Sequence, residues 1–309
     1  MTNVAIEVEG LTKHYGRTLA VDGISFRVER GEIFGMVGPN GAGKTTTIEC
    51  VEGLRRADGG RLTVLGLTPG SSDRELRQRI GIQLQESSLP PRLRVDEAMT
   101  LFASFYRRAV DLDAVLDRLD LGSKRRSFFG KLSGGQKQRL FIALALINDP
   151  ELVFLDELTT GLDPHARRAM WELVEGVRRR GKTVFLTTHF MEEAERLCDR
   201  VAILDQGRIV ALDRPEELVR RHGGGTRIHL RASPRPALDR LSALDGVHSV
   251  EEAESGVVVG GDGDDLMQRV LGALSSDGVA VTDVRTRHAT LEDVFLAVTG
   301  RALEREEGP

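Results

Sequence analysis

Apolar and polar residues alternate along the first segment at Val4, Ile6 and Val8, and they do so again at Ile24, Phe26 and Val28. A period of two turns one side of each strand to a core and the other to solvent, the habit of an antiparallel sheet. From Ile33 the pattern changes. Short, nearly continuous apolar runs at 33–37, 152–155, 183–187 and 201–204 are separated by helical stretches. Strands without a polar side need cover on both faces, which helices on either side of a parallel sheet supply. A helix-rich block from about 96 to 147, with helices at 96–106 and 111–119, interrupts this rhythm and predicts a helical subdomain.

The run His222-Gly223-Gly224-Gly225-Thr226 reads as a flexible break. Beyond it the pattern restarts with a strand at Ile228 and Leu230, a helix over 236–244 and strands at 247–251 and 257–259. A helix over 265–274, a strand at 279–284 and a helix over 291–298 follow. That order predicts a small α+β sandwich of the ferredoxin-like type. Two domains are therefore expected, 1–222 and 223–309.

Composition narrows the classes. A chain of 309 residues with 40% hydrophobic and 29% charged residues can bury a sizeable core. The net charge of -4 and pI near 6.0 argue against a nucleic-acid-binding surface, so no nucleic acid is expected as a partner. Cys50 and Cys198 lie far apart with no CxxC pair, which reads as reduced thiols and argues against a disulfide or a zinc site. The longest apolar run, 140–147, falls well short of the ~20 residues of a spanning helix. Glu7 and Glu9 interrupt the N-terminal pattern, which is no signal peptide. Any membrane part has to come from a partner.

One segment carries explicit chemistry. Gly38-Pro39-Asn40-Gly41-Ala42-Gly43-Lys44-Thr45 fits G-x-x-x-x-G-K-[ST], after an apolar strand and before a helical stretch. Glycines let the backbone wrap closely around phosphates, and the N–H groups and helix N-terminus supply positive potential. Lys44 is expected to bridge the β- and γ-phosphates of ATP, and the Thr45 hydroxyl to coordinate Mg²⁺. Thr46, next along the helix, joins the nucleotide-binding set. Downstream, the apolar strand 152–155 ends in Asp156 and Glu157. An isolated pair of this kind would read as a solvated strand end. With a phosphate loop upstream, Asp156 instead suits Mg²⁺ and Glu157 suits the base that polarises the attacking water.

Leu132-Ser133-Gly134-Gly135-Gln136-Lys137-Gln138-Arg139 resembles the signature of the ABC ATPase family, which ordinary P-loop NTPases lack. Other elements of that family stand in order along the chain. Tyr15 resembles the aromatic residue that stacks on adenine, and Gln85 the glutamine that meets both Mg²⁺ and a membrane partner. Gly161-Leu162-Asp163-Pro164 resembles the D-loop, and His189 the switch histidine at the γ-phosphate. One departure is Leu158, where the family commonly has proline.

The resemblance covers about 1–222 and implies a P-loop NTPase core with an antiparallel β subdomain and a helical subdomain. It further implies a homodimer that sandwiches two ATP molecules. Each nucleotide would lie between one phosphate loop and the signature of the second copy, with Ser133, Gly134, Gly135, Gln136 and Asp163 in the binding set. Catalysis would rest on Glu157, His189, Gln85 and Lys44, and metal binding on Thr45, Gln85 and Asp156.

The closing stretch Ala289-Thr290-Leu291-Glu292-Asp293-Val294-Phe295-Leu296 is similar to that of drug-resistance exporter ATPases working with ABC-2 type permeases. Leu291, Val294, Phe295 and Val298 also read as the apolar face of an amphipathic helix, and the two readings are compatible. The branch implies a peripheral subunit at the cytoplasmic face of the membrane. It would power export of a drug, lipid or polysaccharide through an integral membrane permease. An importer ATPase or a soluble non-transport ABC ATPase is the alternative. The segment 223–309 holds no phosphate loop, paired acid or metal cluster and reads as an accessory or regulatory module.

Overall fold

Two long strands, β1 (Val4–Tyr15) and β2 (Thr18–Glu29), form an antiparallel ladder that pairs Ile6 with Val28, Val8 with Phe26 and Leu11 with Ile24. The computed structural model describes residues 3–84, 88–234, 236–253, 256–263 and 265–301. The alternation seen in the sequence is the cause of this ladder, since every one of those six side chains is buried. After β3 (Ile33–Val37) and α1 (Lys44–Val51), strand β4 (Gly59–Val64) completes a three-stranded sheet in the order β2-β1-β4.

The helical block follows: α2 (Asp73–Leu76), then β5 (Ile80–Gln83), α3 (Val95–Ala103), α4 (Leu112–Arg118) and α5 (Gly134–Ala145). The helix expected over 96–106 stops at Ala103. There the backbone tightens to three-residue bonds, Phe105 N–H donating to Phe102 O and Tyr106 N–H to Ala103 O, and Phe105 turns outward. Next come β6 (Leu152–Asp156), α6 (Pro164–Arg179), β7 (Thr183–Thr188), α7 (Met191–Leu197), β8 (Arg200–Asp205) and β9 (Arg208–Asp213).

The central sheet has six strands in the order β5-β6-β7-β3-β8-β9, all parallel except the edge strand β9. Strands β3, β6 and β7 are buried at every position, as central strands of a parallel sheet covered on both faces must be. Phe34 of β3 links the sheets, its ring 5.4 Å from that of Phe26 in β2 and 5.5 Å from that of Phe185 in β7. Register places Val37 beside Thr188 and Asp156 beside Thr187, so the C-terminal ends of β3, β6 and β7 lie together. In open α/β sheets ligands bind at that edge.

The second unit begins at Pro215 and not at the expected boundary between 222 and 223. Helix α8 (Pro215–His222), in which Leu218 is buried, packs on the last helix, α11 (Leu291–Thr299). The glycines read as an interdomain break instead make a tight turn inside this unit. Gly225 has φ +77, and a Cβ there would stand 2.4 Å from Gly261 O. Between the two helices run β10 (Thr226–Ser233), α9 (Leu238–Ser242), β11 (Val247–Ala253), β12 (Gly256–Gly261), α10 (Leu266–Ser276) and β13 (Ala280–His288). The sheet order is β11-β12-β10-β13, the ferredoxin-like arrangement expected from the pattern. Its core joins Ile228, Leu230, Val257 and Val259 to Leu266, Val270 and Leu274 of α10. Among the described residues, no helix is long and apolar enough to cross a membrane.

Candidate nucleotide-binding and hydrolysis site

The phosphate loop joins β3 to α1 and closes against its neighbours so tightly that only glycine fits at two points. Gly38 has φ +154 and a Cβ there would stand 2.2 Å from Leu204 O. At Gly43, φ +102, the distance to Ala20 O would be 2.5 Å. Lys44, the first residue of α1, is buried and donates to Gly38 O at 2.9 Å and Pro39 O at 3.1 Å. Burial pushes its ammonium below the usual lysine range, and the Glu157 carboxylate 3.5 Å away opposes that shift. Asn40, Gly41, Gly43, Lys44, Thr45 and Thr46 line one cavity of about 370 Å³ together with Glu157. Ala42 is buried within the loop. Tyr15, half-exposed, sits beside the first turn of α1, its hydroxyl 3.5 Å from Thr46 Oγ1 and its ring 5.1 Å from the Arg55 guanidinium.

Asp156 and Glu157 stand at the end of β6, each largely buried. Burial pushes the Asp156 carboxyl above the usual range, while hydrogen bonds from the Thr187 and Thr45 hydroxyls and the Lys44 charge pull it back. Glu157 is held below the usual range, first by His189 and then by Lys44, against the cost of burial. His189 Nδ1 lies 3.6 Å from Glu157 Oε2. The Glu157 backbone takes φ +48, a left-handed conformation rare for a side-chain-bearing residue. Its N–H donates to Thr187 O at 3.1 Å and Thr187 Oγ1 at 3.2 Å, which holds the strained turn in place.

Ser133 lies elsewhere on the same unit. It caps α5, its hydroxyl accepting from Gln136 N–H at 3.3 Å while Gln136 Oε1 accepts from Ser133 N–H at 3.0 Å. Ser133 and Gly134 are exposed, Gly135 partly so, and no signature residue lines the phosphate-loop cavity. Asp163 caps α6, its carboxylate accepting from Ala166 and His165 N–H, bonds that lower its pKa. A Cβ on Gly135 would lie 3.7 Å from that of Ala166, so signature and D-loop share one surface. Gln85 falls outside the described residues. Strand β5 runs parallel to β6 and ends at Gln83.

Two residues of the site went unassigned in the sequence. Thr187 ties Asp156 to Glu157 by bonding the side chain of one and the backbone of the other. Its signal was its place just before Thr188-His189 at a strand end. Ala20, on β2, supplies both the carbonyl against Gly43 and part of the cavity wall, and nothing local in the sequence marks it.

A phosphate loop, a buried lysine–glutamate–histidine cluster and a separately exposed signature define a P-loop ATPase of the cassette type. Residues 21–160 match the ABC transporter family, and 214–299 match the C-terminal domain of DrrA1-3-like ATP-binding proteins. The Nod factor export ATP-binding protein I of Burkholderia lata is 39% identical over 97% of this chain and 98% of that protein. Its counterpart in Bradyrhizobium diazoefficiens is 40% identical over 99% of each. A solved ATP-binding subunit of an ABC transporter superposes with a TM-score of 0.65 at 30% identity, covering 71% of this chain and 93% of that one. A dimeric bacterial ABC transporter cassette superposes with a TM-score of 0.61 at 25% identity, covering 68% and 98%. This chain belongs to the ATP-binding, ATP-hydrolysing subunits of ABC transporters, in the branch with a DrrA-like C-terminal domain.

Proposed function

We propose that the chain powers export through a separate membrane permease, acting as an ATP-sandwich homodimer on the cytoplasmic face of the membrane. The observation that carries this reading is the division of the site. The phosphate loop and Glu157 line one cavity, with His189 3.6 Å from Glu157, whereas Ser133 offers its capped, exposed helix N-terminus to a different surface. A helix N-terminus binds anions, and this one needs a second molecule to bring it a phosphate. The dimer named for a structural relative, and the export named for relatives along the whole chain, support the same reading.

In this mechanism the loop N–H groups and Lys44 cradle the phosphates, and Tyr15 stacks on adenine. Thr45 and Asp156, with Gln85, would hold Mg²⁺. The fit is good, for Asp156 is a buried carboxylate whose charge the Thr45 hydroxyl favours, and carboxylate and hydroxyl make an all-oxygen donor set. Bound there, Mg²⁺ supplies charge neutralisation at the phosphate oxygens. Glu157, kept ionised by His189 and Lys44, accepts a proton from water as its oxygen attacks the γ-phosphorus and the bond to the bridging oxygen breaks. His189 orients Glu157 and the γ-phosphate. Ser133 and Gly135 of the second copy close the site. The cargo is read by the permease, so the export class and not the compound is assigned.

Glu157→Gln should keep ATP binding, lose ~10²–10⁴ in hydrolysis rate, and sediment as a dimer with ATP and Mg²⁺. Ser133→Arg added to that variant should return it to monomer with nucleotide still bound. A dimer that survives Ser133→Arg would overturn the shared site. Purification from native membranes should bring the permease down with the ATPase.

A further inference from the structure

At the end of the central sheet opposite the nucleotide, a cavity of about 280 Å³ opens between α4, α6 and the segments entering β6 and β7. Its floor is apolar, made by Val115, Leu119, Leu146 and Leu173. Four cations surround it, Arg118, Arg179, Arg180 and Lys182, against the carboxylates of Asp149 and Glu172. Lys182 pairs with Asp149 at 2.7 Å and Arg179 with Glu175 at 3.4 Å. Arg118 and Arg180 have no ion-pair partner among the described residues. Burial, and after it the Arg118 charge, pushes the Arg180 guanidinium below its usual range, against the opposing pull of the Asp149 carboxylate. Two neighbouring, mutually repelling cations on the rim of an apolar cavity are relieved by an anion.

A second observation concerns Gly176, in the middle of α6 and on the cavity wall. Glycine is a poor residue inside a helix. Nothing nearby demands it, since a Cβ there would meet only Arg179 Nη2, at 3.9 Å. What the missing side chain does preserve is the open space.

We propose that this cavity binds a small organic anion with a compact apolar body. Its carboxylate or phosphate lies between Arg118 and Arg180, and its apolar part lies on Val115, Leu119, Leu146 and Leu173. The volume falls just below the range of roughly 300–1,000 Å³ usual for ligand pockets, so a free small molecule fits and a two-chain lipid does not. The apolar floor offers nothing to a bare hydrated phosphate. Bound, the ligand joins α4 of the helical block to the end of α6, whose other end carries Asp163.

The test is calorimetric titration of the full chain with octanoate, octanol and inorganic phosphate. Octanoate should bind saturably, and octanol and phosphate should bind at least about tenfold more weakly, the loss expected when one charge-assisted contact or the apolar contact is missing. Arg118→Gln with Arg180→Gln should weaken octanoate by about tenfold or more. Gly176→Leu should fill the cavity and abolish octanoate binding, with unchanged ATP binding showing that each variant is folded. Absence of octanoate binding to the parent, or equal binding to folded variants, would overturn the site.

Discussion

Glu157 and Glu52 are two buried glutamates of one unit with opposite electrostatics. Glu157 faces Lys44 and His189, so its carboxylate is kept charged and its contribution to stability is present above the ordinary glutamate pKa and lost as pH falls through the depressed one. Glu52, at the end of α1, is buried with neither oxygen hydrogen-bonded, and desolvation followed by repulsion from Asp156 pushes it up to about 9. It therefore folds as the neutral acid. Its stabilising contribution is complete below pH 4.5 and lost as pH rises towards 9, because the folded form must carry a proton that the unfolded chain releases. By pH 7 that cost is about 3 kcal/mol. Glu52→Gln keeps the shape and removes the titration. The variant should be more stable than the parent at pH 8 in a urea melt, and the two curves should converge towards pH 5. A difference independent of pH would show that Glu52 does not carry a proton in the folded protein.

Among elements, α5 serves two ends with one residue. The Ser133 hydroxyl caps the helix through the reciprocal bonds with Gln136, and the same exposed N-terminus is the surface that the proposed sandwich would turn to the second copy's nucleotide. Ser133→Ala should cost about 1 kcal/mol in a denaturant melt, whereas Ser133→Asp retains a good cap and should leave stability unchanged. The introduced carboxylate would meet phosphate oxygens with like charge, so ATP-driven dimerisation of the Glu157→Gln protein should fail. Normal dimerisation of the protein carrying Ser133→Asp would reduce Ser133 to a cap. Elements of this kind were legible in the sequence because their causes are local. The phosphate loop, the strand ending in Asp156 and the ferredoxin-like order follow from glycine spacing and apolar period. Ala20 and Thr187 act through pairings between distant strands, and the Arg118–Arg180 cavity assembles residues from 110 to 182, so no local pattern announces either.

At the scale of the whole chain, the sequence placed the domain boundary at its most glycine-rich point, whereas the structure places it where apolar contacts change hands. A glycine run marks freedom of the backbone, which a tight turn needs as much as a linker does. Helix α8, with Leu218 buried, lies against α11, and both belong to the second unit. All described residues of the candidate nucleotide site precede Arg214, and the second unit has its own core. Two truncations then differ in a measurable way. A chain ending at Arg214 should bind ATP as the parent does. A chain ending at His222 should bind it equally but carry residues 215–222 as unprotected backbone, because an isolated eight-residue helix is marginal in water. Hydrogen exchange reads this directly: slow at 218–222 in the full chain, fast in the longer truncation. Slow exchange of those amides without α11 would return α8 to the first unit and the boundary to 222/223.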